Sequence, residues 1–584
     1  MVLVAAFAAV FGRADAGVAD NAFALNGPPI VIGKGIQKTI KATAQATQVL
    51  PENELGQVED PAIQSVEFTA LPNATSALSV GTVKNARLLS ATREQLSRSA
   101  APLDLVAGLA AFTLTTSGVP ATKTPQPLIS INFAADGGGT TAVMPPDVQI
   151  AAGSRFVLEA TSETVAVLPR VAGAKVPGKA IFFRLAAAKD DPASGIFKTL
   201  NGSMLVDPSV VYDRSDGRWW IIALENNPGA GGSRLDLAVS AHDDPFDWTI
   251  HTLSYDGPLS IDSILHDQPK LALSADKVVL TWTDQSGTDP DGGAIAVAAK
   301  NAFTSATAES TAQRSSPDQC FEAPTPARNG LLTSTELFIV AAFRPQTPGC
   351  LSSSVAAPAP GSANAVAVVR IDGPTTALTT SSFVLPTADF SAAPPSAQLQ
   401  GPEEVFSNDT RIQSAFVQGN RLVAASTTAC VLDAVHPDRI RACLHLFDIT
   451  TATGEPTLLN ERAIGLPDRD LLYPSLVLDG NGHLFAVLIQ TARERFIGAA
   501  VLAEGTLAKD GQVIVFGEGG APFPCPSHDG KIHLGDYSSA DRDPNNLMMF
   551  WIAAQVGPKT ANATAPKPGC PASTRTLLGI ATVR

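Results

Sequence analysis

This chain of 584 residues is poor in charge and in aromatic side chains that carry a polar group. Asp, Glu, Lys and Arg make up 16% of the sequence, against about a quarter in ordinary globular proteins. Only 4 Tyr and 5 Trp stand beside 25 Phe, so the aromatic side chains are expected in the core rather than on a sugar-stacking surface. Trp219 and Trp220 are adjacent and would face opposite ways in a strand, which makes one of them a candidate for exposure.

A basic stripe and the established catalytic motifs are also missing. The formal net charge is −14, which argues against a nucleic-acid partner because phosphate binding needs clustered Lys and Arg. The sequence contains no G-x-S-x-G elbow, no H-E-x-x-H and no Walker loop. It contains no C-x-x-C, which leaves zinc knuckles and thioredoxin-type redox motifs without support.

The N-terminus begins with an apolar, Ala-rich run. Residues 2–12 carry no charge and are followed by Arg13 and Ala14-Asp15-Ala16, which has the form of an A-x-A cleavage site. The run is too short to span a bilayer. No Lys or Arg precedes it, so an ordinary buried strand is the alternative. The pattern predicts a signal peptide over residues 1–16 and a secreted or periplasmic protein without a transmembrane segment.

Six cysteines are present: Cys320, Cys350, Cys430, Cys443, Cys525 and Cys570. An even number in an exported chain predicts three disulfides, although the sequence leaves their connectivity open. The sequential pairing 320–350, 430–443 and 525–570 is favoured because each pair then lies inside or beside one repeat. Six reduced, buried thiols in a cytoplasmic protein are the alternative.

Seven short segments between residues 146 and 550 have the same pattern. The clearest copies, residues 206–213, 267–273 and 473–479, place an acid, an aromatic residue or proline ahead of an apolar run, and a polar turn and a second apolar run follow. Weaker copies begin near residues 146, 319, 411 and 535. Steps of about sixty residues are close to the repeat lengths of propellers and supply four short strands each. The sequence predicts an all-β propeller of seven four-stranded blades, with six or eight as alternatives.

Residues 17–145 lack both cysteine and the repeat. We interpret them as an N-terminal extension of low regularity ahead of a propeller over residues 146–584. The last apolar run of this extension, residues 129–133, is a candidate strand to complete the last blade.

The repeat region carries a set of motifs in a fixed order. They are Pro145-Pro146-Asp147, Asp207-Pro208 with Tyr212-Asp213 and Gly217-Arg218-Trp219, Asp267 with Pro269-Lys270, Tyr473-Pro474-Ser475, and Gly535-Asp536-Tyr537. This set resembles a group of secreted, largely uncharacterised β-propellers that are loosely sialidase-like in architecture. The resemblance covers about residues 146–555 and implies the fold. It implies little about function, because such propellers include binders, scaffolds and enzymes.

An acidic residue recurs near the start of each inner strand. These residues are Asp147, Asp207, Asp267, Glu322, Asp409, Asp470 and Asp536. Inner strands line the channel of a propeller, so equivalent positions would form a ring at one mouth, and oxygen-rich rings suit Ca²⁺. Asp207, Asp267 and Asp536 are the candidate calcium ligands because they lie in well-matched copies or motifs. The alternative is that each acid accepts backbone N–H bonds in its own turn.

Three further polar segments are weaker candidates. Residues 284–292 resemble a calcium loop in composition but lack the distal Glu of an EF-hand, which favours an inter-strand loop. Residues 479–482 are typical of a hairpin turn. His528 and His533, with Asp536, are near enough along the chain to share a metal, although their spacing matches no zinc pattern.

These features favour an extracellular binding or scaffold protein over an enzyme, with a protein or glycan as ligand and calcium as a candidate structural cation. The alternative is a glycan-directed hydrolase or lyase that uses carboxylates at the channel mouth, since acids on different blades meet only in three dimensions. An enzyme would surround a deep pocket with several of these acids and an Arg or His. A binder would hold the acids through neighbouring groups around a shallow or plugged channel.

Overall fold

A computed structural model describes residues 23–40, 64–68, 147–162, 164–170, 181–200, 203–227, 232–254, 262–286, 289–304, 310–316, 318–330, 333–343, 362–399, 404–431, 440–466, 468–503, 512–523, 531–534, 537–557 and 575–583. These residues form β-strands and two single-turn helices, Pro192–Ser194 and Asn301–Thr304. Within these ranges no helix has the length and apolar character needed to cross a membrane. The predicted signal peptide lies outside the described residues.

The strands form seven blades, preceded by three strands from the N-terminal region. The N-terminal strands are β1 (Gly27–Ile32), β2 (Ile36–Thr39) and β3 (Gln64–Phe68). Blade 1 contains β4 (Gln149–Ala152), β5 (Phe156–Ala160), β6 (Thr164–Pro169), β7 (Ile181–Ala186) and β8 (Gly195–Phe197). Blade 2 contains β9 (Met204–Asp213), β10 (Arg218–Asn227), β11 (Gly232–Ser240) and β12 (Asp247–Ser254). Blade 3 contains β13 (Leu265–Leu273), β14 (Lys277–Ser286), β15 (Asp289–Ala299) and β16 (Ser310–Arg314).

The remaining four blades follow the same meander. Blade 4 begins with β17 (Phe321–Pro326); β18 (Arg328–Asn329) comes next in the chain but pairs with blade 5. Blade 4 continues with β19 (Leu337–Phe343), β20 (Ser362–Asp372) and β21 (Thr379–Ser391). Blade 5 contains β22 (Ser414–Gln418), β23 (Arg421–Val431), β24 (Ile440–Thr450) and β25 (Thr457–Ile464). Blade 6 contains β26 (Asp470–Leu478), β27 (Leu484–Ala492), β28 (Arg495–Ala503) and β29 (Gln512–Glu518), and blade 7 contains β30 (Ser539–Arg542), β31 (Met549–Val556) and β32 (Arg575–Val583).

The innermost strands close into a ring. In chain order they are β4, β9, β13, β17, β22, β26 and β30; each contacts the next, and β30 contacts β4. The chain is therefore a seven-bladed β-propeller, as the repeat predicts. The observed first strands begin at or within a few residues of the predicted copies.

The N-terminal region contributes strands to the propeller sheets. β1 pairs with β12 of blade 2 and with β16 of blade 3, which joins two blades into one continuous sheet. β3 pairs in parallel with β32 and supplies the fourth strand of blade 7. Residues 129–133, the predicted candidate for that position, lie outside the described residues. The predicted domain bounds stay a prediction.

Apolar side chains fill the seams between neighbouring blades. Trp219 lies between blades 1 and 2, and Trp220 lies between blades 2 and 3, because adjacent strand residues face opposite sides of their sheet. Both are 0% exposed, so the expectation that one of the pair is exposed is wrong. A blade inside a ring is covered on both faces, which removes the solvent-facing side of an ordinary sheet.

Candidate functional site

A β-bulge recurs in the innermost strands of four blades. In each, two residues lie opposite one residue of the next strand; the first has a positive φ and the second is proline. The pairs are Asp207-Pro208 (φ 52°), Gln268-Pro269 (φ 52°), Ala323-Pro324 (φ 40°) and Tyr473-Pro474 (φ 52°). Proline has no N–H to donate to a sheet ladder, and a bulge is a place where a strand tolerates it. The proline of the sequence repeat therefore marks this bulge.

The residue after each bulge borders the central channel. These residues are Ser209, Lys270, Thr325 and Ser475, each 8% exposed or less. Three of the four carry a hydroxyl group and one carries a charge. The bulge thus fixes which residue of each inner strand borders the channel.

The channel holds a small polar cavity, which we call the upper cavity. Its volume is about 40 Å³, room for about three water-sized groups. Its polar lining includes Gln149, Ser209, Lys270, Thr325, Arg328, Gln413, Ser414, Ser475, Tyr537 and Ser538. Two of the described lining residues are cationic, and none is Asp or Glu. The cavity is therefore rich in donors and positive charge in a protein whose net charge is −14.

Lys270 reaches from blade 3 toward blades 4 and 5. Its Nζ donates to Thr325 Oγ1 at 2.7 Å and to the carbonyl oxygen of Ile412 at 3.3 Å. The same ammonium lies 5.9 Å from the ring centroid of Tyr537, within the range of a cation–π contact. Groups from three other blades, 4, 5 and 7, thus surround this cation of blade 3.

Arg328 crosses the channel from β18. This two-residue strand leaves blade 4 and pairs in parallel with β22, which holds the side chain beside the axis. The guanidinium donates to the carbonyls of Ile150 (3.3 Å), Ala540 (3.2 Å) and Val210 (3.3 Å) and to Gln149 Oε1 (2.9 Å). Burial lowers the pKa of Arg328, and the charge of Asp541 opposes that shift. Arg328 links blades 1, 2 and 7 and plugs the channel.

A second cavity of about 20 Å³ lies on the far side of Arg328. Arg214 and Asp541 border it and form an ion pair at 3.2 Å. Arg542 follows Asp541 in the chain, and burial together with the positive charge of Arg214 lowers its pKa to about 10. Arg328 therefore separates two small chambers rather than lying at the end of one deep pocket.

The predicted calcium ligands are only partly within the described residues. Asp207 is half-buried at its bulge, and Asp267 is half-buried with an oxygen that accepts a bond from Gln285 Nε2 at 2.9 Å. Asp536 lies outside the described residues, so the three-residue site stays a prediction. Within the described part of the chain, no three His, Cys, Asp or Glu side chains are grouped to hold a metal ion.

Other acids of the predicted ring have local partners. Asp147 accepts a bond from Ser162 Oγ at 3.0 Å. Asp409 accepts the backbone N–H of Arg411 at 2.9 Å and pairs with its guanidinium at 2.5 Å. Asp409 thus accepts a backbone N–H in its own turn, whereas the partner of Asp147 is a side chain beyond β5.

Asp470 is bound to the neighbouring blade. Burial raises the pKa of its carboxyl, while the backbone N–H of Ala442 at 2.9 Å and the guanidinium of Arg441 at 3.6 Å oppose that shift. Its position ties blade 6 to blade 5.

A buried histidine network between blades 2 and 3 is absent from the predicted sites. His266 Nδ1 lies 2.6 Å from Asp284, its Nε2 lies 2.8 Å from Asp262, and all three are buried. Trp282 Nε1 donates to the same Asp284 oxygen at 2.7 Å. His266 and Asp284 are direct partners in the β13–β14 hairpin, so the hairpin register is the sequence signal that could have found the pair.

The weaker polar candidates are structural turns where they are described. The described part of this segment, residues 284–286 and 289–292, lies in the paired strands β14 and β15. Asp479 Oδ1 accepts the backbone N–H groups of Asn481 and His483, each at 2.8 Å, which confirms the hairpin turn. His533 stacks on Phe406 with centroids 4.6 Å apart; its proposed partners His528 and Asp536 lie outside the described residues.

The disulfide prediction is confirmed for one pair. Cys430 and Cys443 are joined across the β23–β24 hairpin. Cys320 is also disulfide-bonded. Cys350, Cys525 and Cys570 lie outside the described residues, so the other two pairings stay predictions.

Lys270, Arg328 and Gln413 are the channel residues that sequence reasoning missed. Lys270 had a usable signal, because it follows a bulge proline where the other copies have Ser or Thr. Gln413 lies in the weak copy that begins at residue 411, where nothing sets it apart, and Arg328 lies outside the repeated motif.

Comparison with known proteins gives remote structural likenesses only. No protein-family model and no curated protein matches this chain. Similar solved structures include a Penicillium chrysogenum α-L-arabinanase complexed with arabinobiose (8% identity, 66% of this chain and 96% of that chain, TM-score 0.34). Others are a Trypanosoma rangeli sialidase in complex with the inhibitor DANA (12%, 61% and 54%, 0.31) and a Fusarium graminearum GH93 α-L-arabinofuranosidase complexed with arabinobiose (10%, 74% and 93%, 0.32). Likenesses at this level transfer no activity.

Proposed function

We propose that this chain is a binding or scaffold propeller that works outside the cytoplasm. The observation that carries the proposal is the plugged channel: Lys270 and Arg328 occupy its interior, and no carboxylate is among its described lining residues. A ligand would then bind at the loops around the mouth, the end at which the inner strands begin. The Cys430–Cys443 disulfide supports an oxidising location.

The alternative is a glycan-directed hydrolase with acid and base at the mouth. Such an enzyme needs two carboxylates about 5–9.5 Å apart beside a pocket that admits a sugar. The upper cavity, about 40 Å³, is too small for that role. Asp147 and Asp409 are already held by neighbouring side chains or backbone. Asp207 and Asp267, both half-buried, are the acids on which the alternative depends.

One experiment separates the two. The purified protein is incubated with a panel of chromogenic glycosides and polysaccharides, and in parallel applied to a glycan array and to immobilised extracellular proteins. We expect binding without turnover. Asp207→Asn and Asp267→Asn are compared with Asp372→Asn, which alters a partly exposed acid at the end of β20, the third strand of blade 4 in order from the channel. Turnover that is lost in the first two variants and kept in the third would contradict the proposal and support a hydrolase.

A structural calcium ion at Asp207, Asp267 and Asp536 is a separate part of the proposal. Metal content and thermal melting before and after EDTA test it. Bound calcium together with a fall of several degrees in the melting temperature would support the site. If the protein contains no metal and EDTA does not change its melting temperature, these acids are turn residues and not calcium ligands.

A further inference from the structure

The upper cavity has the charge and donors of an anion site. It is bordered by the ammonium of Lys270 and the guanidinium of Arg328, with no Asp or Glu among its described lining residues. A cavity of this kind attracts an anion, because inside a protein the field of a cation is screened far less than in bulk water.

Arg328 carries charge into the channel, and among the described residues no carboxylate lies within ion-pair distance of it. Its four described hydrogen bonds all end on neutral oxygens, three carbonyls and one amide. Neutral acceptors satisfy the N–H groups, and the carboxylate that acts on Arg328, Asp541, lies at the second cavity, where it is already paired with Arg214. Holding such a charge away from water is costly, and a bound anion would lower that cost.

Gln413 supplies an unused donor. Its side chain borders the same cavity, is 7% exposed, and its Nε2 has no hydrogen-bond partner in the described part of the chain. The orientation of the amide is set at the other end: Thr427 Oγ1 accepts the N–H of Tyr473 at 3.2 Å and donates its own proton to Gln413 Oε1 at 2.9 Å. The NH₂ group is therefore a buried donor without a protein acceptor in the described part of the chain.

We propose that the upper cavity binds a small monovalent anion of about three heavy atoms or fewer, with chloride and formate as its probes. The anion would accept from Gln413 Nε2, lie in the field of Lys270 and Arg328, and tie blades 3 and 5 together at the axis. The volume of about 40 Å³ sets the size limit. This site goes beyond the proposed function and does not depend on it.

Thermal melting in different sodium salts at one ionic strength tests the site. Chloride and formate should raise the melting temperature saturably by roughly 2 °C or more over gluconate, because a ligand that binds only the folded state stabilises it. Gluconate is too large for the cavity and serves as the reference salt. Equal melting temperatures in all three salts would mean that water alone fills the cavity and would overturn the proposal.

Two substitutions assign the effect to the cavity. Gln413→Met removes the donor at nearly constant length and should weaken chloride binding about tenfold or more. Lys277→Met is the control. Lys277, like Lys270, is a buried lysine of blade 3, but its ammonium donates to Asp276 and to the carbonyl oxygen of Gly373. Its melting temperature will fall, but its response to chloride should match that of the wild type. An unchanged chloride response in Gln413→Met would refute the assignment.

A direct readout does not depend on stability. Crystals of the full chain grown in bromide should show an anomalous peak between Lys270 and Gln413. Ordered bromide elsewhere with none in the channel would overturn the proposal even if salts shift the melting temperature.

Discussion

Glu159 is buried in the seam between blades 1 and 7 without full hydrogen bonding. It is 2% exposed, and burial raises its pKa from 4.5 to about 7; the nearby Thr576 hydroxyl opposes the shift without reaching hydrogen-bond geometry. Thr576 pairs in register with Gln555, and both are 0% exposed. Glu159 Oε1, Thr576 Oγ1 and both polar atoms of the Gln555 side chain have no hydrogen-bond partner among the described residues. Ionising Glu159 therefore places a poorly compensated charge in the seam that closes the ring.

The free energy of unfolding should fall as the pH rises from 4.5 through 7, the two pKa values of Glu159. A folded pKa of about 7 against 4.5 means that the folded state holds the proton more tightly than the unfolded state. The favourable contribution of protonated Glu159 is fully present below pH 4.5 and is lost as pH rises through 7. At about 1.4 kcal/mol per pKa unit, the loss is about 3 kcal/mol.

Glu159→Gln tests this directly, because the amide has nearly the same shape and no charge at any pH. The variant should be more stable than the wild type by about 3 kcal/mol at pH 8 and nearly equal at pH 4.5. Urea unfolding curves, followed by tryptophan fluorescence from pH 4.5 to 8.5, give both values. Glu404→Gln, which alters an exposed glutamate, should change the free energy of unfolding by less than about 0.5 kcal/mol at every pH.

The pH dependence of the difference decides the matter. If Glu159→Gln differs from the wild type by the same amount at pH 4.5 and pH 8, its effect comes from hydrogen bonding or packing, and ionisation of Glu159 is not the cause. A variant that is less stable at pH 8 would show that the carboxylate is favourable in the seam, against the reasoning above.

Three further perturbations follow from the described contacts. Arg328→Met removes four hydrogen bonds to blades 1, 2 and 7 and should lower the free energy of unfolding by about 2–5 kcal/mol in urea. Cys430→Ser with Cys443→Ser opens a loop with a sequence separation of 13 and should cost about 3 kcal/mol; reductant should then destabilise the wild type more than the variant. Burial lowers the pKa of His266, but its hydrogen bonds to Asp262 and Asp284 outweigh that effect and raise it above 6.5. Its stabilisation is present below pH 6.5 and lost as pH rises through the raised value, so His266→Gln should flatten that alkaline fall in urea titrations.

The blade order was readable from the sequence because it rests on local chemistry. Proline has no N–H for the sheet ladder, which favours a bulge within an inner strand, and the bulge comes at the same place in the inner strand of four blades. The Asp479 turn was readable for a similar reason, since one carboxylate satisfies two nearby N–H groups. Signals of this kind depend on neighbours within a few residues.

The channel and the N-terminal ties were not readable because they join distant parts of the chain. β1 meets its partner strands more than 200 residues away, as in the pairing of Val31 with Ser254, and no local pattern records such a pairing. Arg328 is equally isolated in sequence from Ile150 and Ala540, which accept its protons. The burial of both Trp219 and Trp220 was missed because strand alternation suggests that one face of the sheet is exposed to solvent. A blade inside a ring has no solvent-exposed face.

The same side-chain bond seals three successive seams, and this bears on where function can lie. In each, a serine of one inner strand accepts the backbone N–H of the next inner strand. The pairs are Ser414 with Leu476 (2.9 Å), Ser475 with Ala540 (3.0 Å) and Ser539 with Ile150 (2.9 Å). The last pair joins blade 7 to blade 1, so the seam that closes the ring has the same serine–backbone hydrogen bond as the two seams before it. Because these bonds lie at the axis, changes in the loops at the mouth need not loosen the ring. A binding surface can therefore vary there while the channel keeps its geometry.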